Sequence, residues 1–391
     1  MATQPAPDDS GDLRAVIDAI AAAVVQRFAA AEQALIREVA AYARAGLAAP
    51  VGSAARLDML RRMRAVADRL SLQLCAQASQ MAAQVTDTAH RRGAEAAIRR
   101  LTHLTTSHPD LLRILTAPQP EPVTSHALAS VTQIQMDLAS RLWDASTRMT
   151  RFADDAYRAA IARAATTEVL TGMSPAAAQR MAWDELTSKG VTGFVDTRGR
   201  QWTLASYVEM ATRTAVQRAY NTAHQDRMTS AGIHYFTVAP HAHPCPLCEP
   251  WEGAVLSDVH AAGETTTLSA VKDVPVTFTI AGTVDEARAA GLFHPNCSHT
   301  LVAFLPGVTK PIARPSWTKA DQAAYDAAQH LRALERQVRA YKLQAEGALT
   351  PLEQRRAMAK ARAVQARIRE HVEAHGLVRR RRREQLNLGH Q

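Results

Sequence analysis

Cysteine is scarce in this chain, four among 391 residues, and aromatic residues make up only 5% of it. Nowhere do about 18 apolar residues follow one another unbroken. Each shortage excludes something. So few cysteines in so long a chain cannot form the framework of a disulfide-stapled secreted domain. The hydrophobic share is 47%, much of it alanine, which suits long helices packed through small side chains better than a thick mixed core. Without a long apolar run no membrane-spanning helix is predicted. The opening stretch "MATQPAPDDSGD" also lacks the basic and apolar regions of a secretory signal. A protein made and kept in a cytosol is therefore expected, where a Cys-x-x-Cys pair is metal-binding or redox-active rather than a disulfide. A chain of 391 residues exceeds one compact core, so several modules are expected.

The net charge of +9 is unevenly spread: from Thr309 onward Lys and Arg outnumber Asp and Glu by 18 to 8, leaving the preceding residues close to neutral. A basic terminal segment of this kind is attracted to polyphosphate or to an acidic protein surface, with a strength that falls as salt rises. No aromatic interleaving or groove-reading motif accompanies Arg379, Arg380, Arg381, Arg382 and Arg383. Any contact they make with DNA is thus expected to ignore sequence.

Helical periodicity dominates the first half. Asp9 or Ser10 can cap a helix from about Gly11 to Ala45, with Leu13, Val16, Ile17, Ile20, Val24 and Phe28 at three- and four-residue steps. Ser53 can cap a second, with Leu57, Leu60, Met63, Val66, Leu70 and Leu74 on one stripe. Cys75 beside that stripe reads as an inert core thiol. "TAPQPEPVTS" marks a linker, a third helix is expected from about His126 to Val169, and Ser174 with Pro175 starts a fourth. "GFVDTRGRQWTL" reads as a β-hairpin before a helix capped by Thr203 and ended by Gly232. From Ile233 the pattern turns β-rich, with strands expected in "IHYFTVAP", "VPVTFTI" and "TLVAF". Helix returns at Ser316 or Thr318, and Thr350, Pro351 and Glu353 form a capping-box start for a last helix to His375, giving a helical hairpin or coiled coil.

Three of the four cysteines sit in "HPCPLCEPWEG" and "FHPNCSHTLVAFLPG". Cys245 and Cys248, flanked by prolines, make a knuckle that can aim two sulfurs at one point. Cys297 supplies a third donor toward the four that zinc takes at about 2.0 to 2.3 Å. His299, His294, His241 and His243 are all candidates for the fourth. A redox pair is disfavoured because such motifs begin a helix, whereas "CPLCEPWEG" has a proline two residues past the second cysteine. A catalytic zinc would need an open position and a nearby carboxylate. Glu249 and Glu252 are at hand, but no His-Glu-x-x-His helix is present. Trp251 can cover the site, and Gly253 permits the turn into the next strand.

Three ordered stretches, Gly190 to Thr214, His241 to Asp258 and Gly291 to Gly307, resemble the phage minor capsid protein 2 family, related in its last domain to phage Mu-type head-morphogenesis proteins. The matching positions are Asp196, Gly199, Trp202, Tyr207, Met210, Arg213, Thr214, Cys248, Trp251, Gly253, Asn296, Cys297, His299, Pro306 and Gly307. Ser298 stands where the family usually has arginine, and Cys245 adds a thiol where it often relies on histidines such as the one matched by His241. The Asn-Cys-x-His match favours His299 as the fourth ligand. The resemblance implies a minor structural protein of a tailed-phage head, associated with the portal vertex, and does not imply an enzyme.

The fold expected is mainly α: an elongated helical N-terminal part, a small zinc-knuckle α+β domain, and a C-terminal helical hairpin with a basic tail. Its regions are 1–117, 125–232 with a hairpin near 193–203, 233–308 around the Cys/His knuckle, and 309–391. One structural zinc ion is expected on Cys245, Cys248, Cys297 and His299, supported by Trp251, Gly253 and Asn296. The partners expected are the portal, the major capsid or scaffold protein, and packaged double-stranded DNA, with no membrane and no small-molecule substrate. The virion, near the portal, is the expected location. The rival readings are an assembly enzyme, a capsid maturation protease or metal-dependent hydrolase, and a cellular zinc-ribbon nucleic-acid binder.

Overall fold

The computed structural model describes residues 9–46, 53–113, 125–171, 174–191, 194–195, 201–240, 245–297, 299–310 and 317–387. Over these residues the chain is mainly helical. The long helices are α1 (Asp9–Gly46), α2 (Ala54–Ser107) and α3 (Ser125–Thr171), followed by α4 (Pro175–Lys189), α5 (Leu204–Ser230), the short α6 (Val284–Ala289), α7 (Lys319–Glu346) and α8 (Pro351–His375). The strands are short: β1 (Phe194–Val195), β2 (Gln201–Trp202), β3 (Tyr235–Val238), β4 (Val255–Ser257), β5 (Gly263–Leu268), β6 (Pro275–Ile280), β7 (Gly282–Thr283) and β8 (Leu301–Ala303). Two compact units form. One comprises Met1–Ala21, Ala82–Leu138 and Met210–Tyr325, the other Ala22–Met81, Ala139–Glu209 and Asp326–Gln391.

Most helix ends fall where capping chemistry puts them. Pro175 occupies the first turn of α4 with Ser174 as cap residue, although the Ser174 side chain makes no cap hydrogen bond. Thr350 and Glu353 form a reciprocal capping box at the start of α8, and Gly376 ends that helix in the left-handed conformation at φ 62°. Thr318 and Asp321 bond reciprocally at the start of α7, while Ser316 lies outside the described residues. The apolar stripe of α2 differs from expectation at its start: Leu57 is exposed, and Met59 is buried in its stead with Met63, Val66 and Leu70. Two residues, about 200° around the helix, separate those choices, and the sequence near the start of a helix offers both.

The first unit holds the strands from β3 onward. Its four-stranded sheet runs β7-β4-β3-β8, with β3 antiparallel to both β4 and β8, and β5 and β6 make a separate antiparallel hairpin. The core of this unit joins Phe236, Val238, Leu256 and Leu301 to Leu101 and Leu104 of α2 and Met228 of α5. A buried ion pair joins Arg213 of α5 to Asp18 of α1. Gly93 of α2 lies against the backbone of α5: a Cβ there would stand 2.2 Å from the Tyr220 carbonyl oxygen, so only glycine allows this approach.

The second unit is helical apart from β1 and β2. Arg69 pairs with Glu38 at 2.8 Å and Arg64 with Asp154 at 2.7 Å, tying α2 to α1 and α3 at the surface. The Trp183 indole N–H donates to the Gly347 carbonyl in the turn between α7 and α8 at 2.6 Å. Leu331, Leu334 and Val338 of α7 pack against Ala361, Val364 and Ile368 of α8. Glu32 of α1 accepts the backbone N–H groups of Val191 at 2.9 Å and Ala205 at 3.2 Å, completing the cap of α5, where Leu204 N–H already donates to the Val191 carbonyl and Ser206 N–H to Thr203 Oγ1. Burial pushes the Glu32 carboxyl up to about 7, against the opposing pull of the backbone N–H groups and Arg339.

A folded pKa near 7 above an unfolded value near 4.5 means the unfolded chain gives up this proton first as pH rises. The contribution is fully present below 4.5 and is lost as pH climbs through 7. Glu32→Gln removes that dependence. The melting-temperature advantage of wild type over the variant should therefore be larger at pH 5 than at pH 8; a gap that is constant or grows with pH contradicts this placement of Glu32.

Candidate metal centre

The sheet register brings the two cysteine-bearing pieces together. Residues 239–254 connect β3 to β4, and the second piece leads into β8; both strands flank β3. Val238 at the end of β3 pairs with Leu301 at the start of β8, and Thr237 pairs with Val255 at the start of β4. Both connections therefore meet at one end of the sheet. Hydrogen bonds from Ala239 N–H to the Thr300 carbonyl at 3.3 Å and from Gly253 N–H to the Val238 carbonyl at 3.0 Å fasten them there.

Each piece is locally shaped to present its sulfur. The Cys245 carbonyl accepts the N–H groups of Cys248 and Glu249, both at 3.0 Å, folding the knuckle. Gly253 leaves it at φ 71°, in the region that glycine favours. In the second piece the Cys297 N–H closes onto the His294 carbonyl at 2.9 Å, and Asn296 has φ 66°. Pro295 followed by a positive-φ residue is the pattern of a type II turn, and asparagine tolerates that conformation better than other residues with a Cβ. This turn sets the side chains of His294 and Cys297 at its two ends.

Five potential ligands are gathered in two overlapping sets, Cys245–Cys248–His294 and Cys248–Cys297–His299, with ligand atoms within 4.8 Å of one another in each. Cys248 Sγ lies 3.7 Å from Cys297 Sγ, Cys297 Sγ 3.2 Å from His299 Nδ1, and Cys245 Sγ 2.9 Å from His294 Nε2. Ligands of a tetrahedral zinc ion stand about 3.3 to 3.8 Å apart, given bonds of about 2.0 to 2.3 Å. The donor set suits such an ion. The two imidazoles differ in their support: His299 Nε2 meets Glu252 Oε1 at 2.7 Å, whereas His294 Nδ1 meets the Pro295 carbonyl at 2.9 Å. A carboxylate behind a histidine fixes its tautomer and raises its basicity as a ligand. His241 and His243 lie outside the described residues.

Electrostatics concentrate negative charge here. Hydrogen bonds from Cys248 hold the Cys245 and Cys297 thiols well below the usual range, and the same bonds push Cys248 up. Burial alone would lower His299, but its bonds to Cys297 and Glu252 outweigh that and raise it to about 9. The arrangement is compatible with a metal ion. Trp251, half-buried, packs against the core cluster that contains Cys248 and Cys297.

Two further residues support the site. Gln217 and Asn221, one turn apart on α5, both donate to the His299 carbonyl, at 3.4 and 3.2 Å. Reasoning from sequence passed over them. Their signal was a pair of amides four residues apart on the apolar, buried face of a helix, which rarely occurs without a polar partner. Glu252 was noticed only as a carboxylate for a catalytic metal, not as the partner of His299.

The basic segment belongs to the second unit. Arg379 forms a bidentate pair with the buried Glu384, at 2.6 and 2.8 Å, and Arg383 reaches Glu335 at 3.9 Å. Residues 381–384 form a short 3-10 turn; Arg380 is half-buried, while Arg381 and Arg382 are exposed.

Among known families, the model of phage minor capsid protein 2 matches residues 15–373, most of the chain. Comparisons with curated proteins and with solved structures give no match.

Replacing Asn221 by alanine leaves a buried carbonyl with one weaker donor and should lower stability by about 1 to 3 kcal/mol. Gln217→Ala, at the longer contact, should cost less. The midpoint of urea unfolding of the full chain reads both, and an Asn221→Ala variant indistinguishable from wild type would show that these amides do not hold the second loop.

Proposed function

The chain belongs to the phage minor capsid protein 2 family, structural proteins of the phage head, and from that membership we propose an architectural protein of the virion whose strand-bearing module is locked by one zinc ion. Cys245, Cys248, Cys297 and His299 hold the ion, with His294 as the alternative to His299. When bound, zinc neutralises the gathered thiolates and supplies folding energy to a module whose strands are only two to six residues long. The observation that carries this reading is the burial of three of the four donors: Cys248, Cys297 and His299 are 0%, 6% and 4% exposed, with Cys245 half-buried at the edge. Structural zinc sites are closed in this way, and catalytic ones keep a position for water or substrate. Placement near the portal, with the Arg-rich segment on an acidic partner surface or on packaged DNA, is supported by the charge excess after Thr309 and by the exposure of Arg381 and Arg382. No helix among the described residues is long and apolar enough to cross a membrane.

One observation favours a second reading. Cys297, His299 and Glu252 stand in a thiol–imidazole–carboxylate series, at 3.2 and 2.7 Å, the order used by thiol hydrolases. Burial weighs against it, because a substrate carbonyl cannot reach Cys297 Sγ without opening the module, and Cys248 Sγ already occupies one approach at 3.7 Å.

Full chain purified and dialysed without chelator should retain one equivalent of zinc, and Cys248→Ser or Cys297→Ser should retain none and lose the folded module. Zinc-free wild type that stays folded contradicts the assignment. Cleavage of the major capsid protein that Cys297→Ser abolishes, with no zinc present, would favour the hydrolase. For the basic segment, binding to the portal or to DNA should weaken steeply between low and moderate salt and fall in Arg381→Ala/Arg382→Ala; binding insensitive to both contradicts this part of the proposal.

A further inference from the structure

β5 and β6 form a hairpin separate from the four-stranded sheet of the same unit. Thr265 and Thr267 of β5 and Val276, Phe278 and Ile280 of β6 share one face, where each is half-buried or buried. That face is anchored. The Phe278 ring meets Tyr235 edge-on at 5.1 Å and Phe304 at 5.1 Å, and the Ala270 N–H donates to the Pro306 carbonyl at 2.9 Å. Glu264, Thr266, Leu268, Pro275, Thr277 and Thr279 make up the other face, and every one of them is exposed.

The register also fixes where the backbone of β5 points. Ser269 N–H donates to the Val274 carbonyl at 2.8 Å, so these two residues form a hydrogen-bonded pair. Bonded and non-bonded pairs alternate along an antiparallel ladder. The pairs of Leu268 with Pro275, Thr266 with Thr277 and Glu264 with Thr279 are therefore non-bonded. Two observations agree with this: Pro275 has no N–H to give, and the Thr266 and Thr277 hydroxyls meet at 2.8 Å, as the closer approach of a non-bonded pair allows. The N–H and C=O groups of Glu264, Thr266 and Leu268 thus point away from β6, and among the described residues no strand or backbone group takes them up. Sheet proteins usually blunt such an edge with lysine, proline or a bulge. β5 carries none of these, and its one charge is Glu264. The far edge of β6, by contrast, starts with Pro275.

We propose that this edge pairs with β5 of a second copy of the chain, antiparallel and centred on Thr266, to make one sheet in the order β6-β5-β5-β6. The edge is complementary to itself in this register. Thr266 faces the partner's Thr266 and Glu264 faces the partner's Leu268, so all the outward groups pair, in about six hydrogen bonds. No charge meets a like charge, because the two Glu264 side chains stand about 14 Å apart along the strands. A register shifted toward Glu264 brings the two carboxylates together and leaves Leu268 unpaired; a shift the other way leaves Glu264 unpaired. Strands this short bury less than the roughly 1,200 Å² of a stable interface. The dimer is therefore weak in dilute solution and forms where copies are crowded.

Sedimentation equilibrium of the full chain, from micromolar to hundreds of micromolar, should show monomer passing to dimer. Thr266→Pro removes an N–H that β6 does not use and should weaken the dimer about tenfold or more. Thr277→Pro, the same change on the far edge of β6, should leave the dimer unchanged. Leu268→Lys sets a lysine opposite each Glu264 and should tighten the dimer several-fold, whereas Leu268→Glu should loosen it. A chain that stays monomeric throughout overturns the proposal and leaves the edge to a strand of another protein. A dimer indifferent to Thr266→Pro and to both changes at Leu268 overturns it as well.

Discussion

The architecture of the strand-bearing unit depends on one constraint: the connections on either side of β3 must end at the same point in space. Because β4 and β8 both run antiparallel to β3, the knuckle after Val238 and the turn before Leu301 are delivered to one edge. Three sulfurs and two imidazoles from residues about fifty apart in sequence meet in or against one apolar cluster. A dication held there, as proposed, would cross-link those two stretches. A sheet of four strands, each two to four residues long, would gain from such a link beyond its packing on α2 and α5.

The surrounding helices serve this junction. Gly93 lets α2 approach α5 closely, α5 presents Gln217 and Asn221 to the His299 carbonyl, and Glu252 holds the imidazole from the other side. The series from helix contact to amide to imidazole is fixed at each step by a partner, and none of its members faces solvent. Burial of Cys297, His299 and Glu252 favours the proposed architectural centre, even though the three stand in an order that a hydrolase could use. For a protein that belongs to a family of minor capsid proteins, a module locked by the proposed ion suits assembly.

Much of this was legible in the sequence, and what was not has physical reasons. Helix ends were readable wherever local chemistry decides them: Thr350 with Glu353, Pro175 after Ser174, and Gly376 in the left-handed conformation all act within one turn of chain. The cysteine spacing pointed to a shared site. The choice among histidines was not readable from spacing, because a type II turn at Pro295-Asn296 and a strand register place both His294 and His299 beside sulfur. Glu252 as the partner of His299, the amides of α5 and the contact at Gly93 depend on which elements become neighbours, which no local pattern encodes. The strands β4, β5 and β7 went unread because "VLS", "GETTTL" and "GT" are too short or too polar to stand out. In the basic run all five arginines look alike, and only the fold distinguishes Arg379 and Arg383, paired with Glu384 and Glu335, from the exposed Arg381 and Arg382.

The central claim concerns the atoms around one ion, and X-ray absorption at the zinc edge reads them directly. For full chain dialysed without chelator, the account predicts a shell dominated by three sulfur scatterers at about 2.3 Å with one nitrogen at about 2.0 to 2.1 Å. A shell of nitrogen and oxygen alone, or four sulfurs, would contradict it.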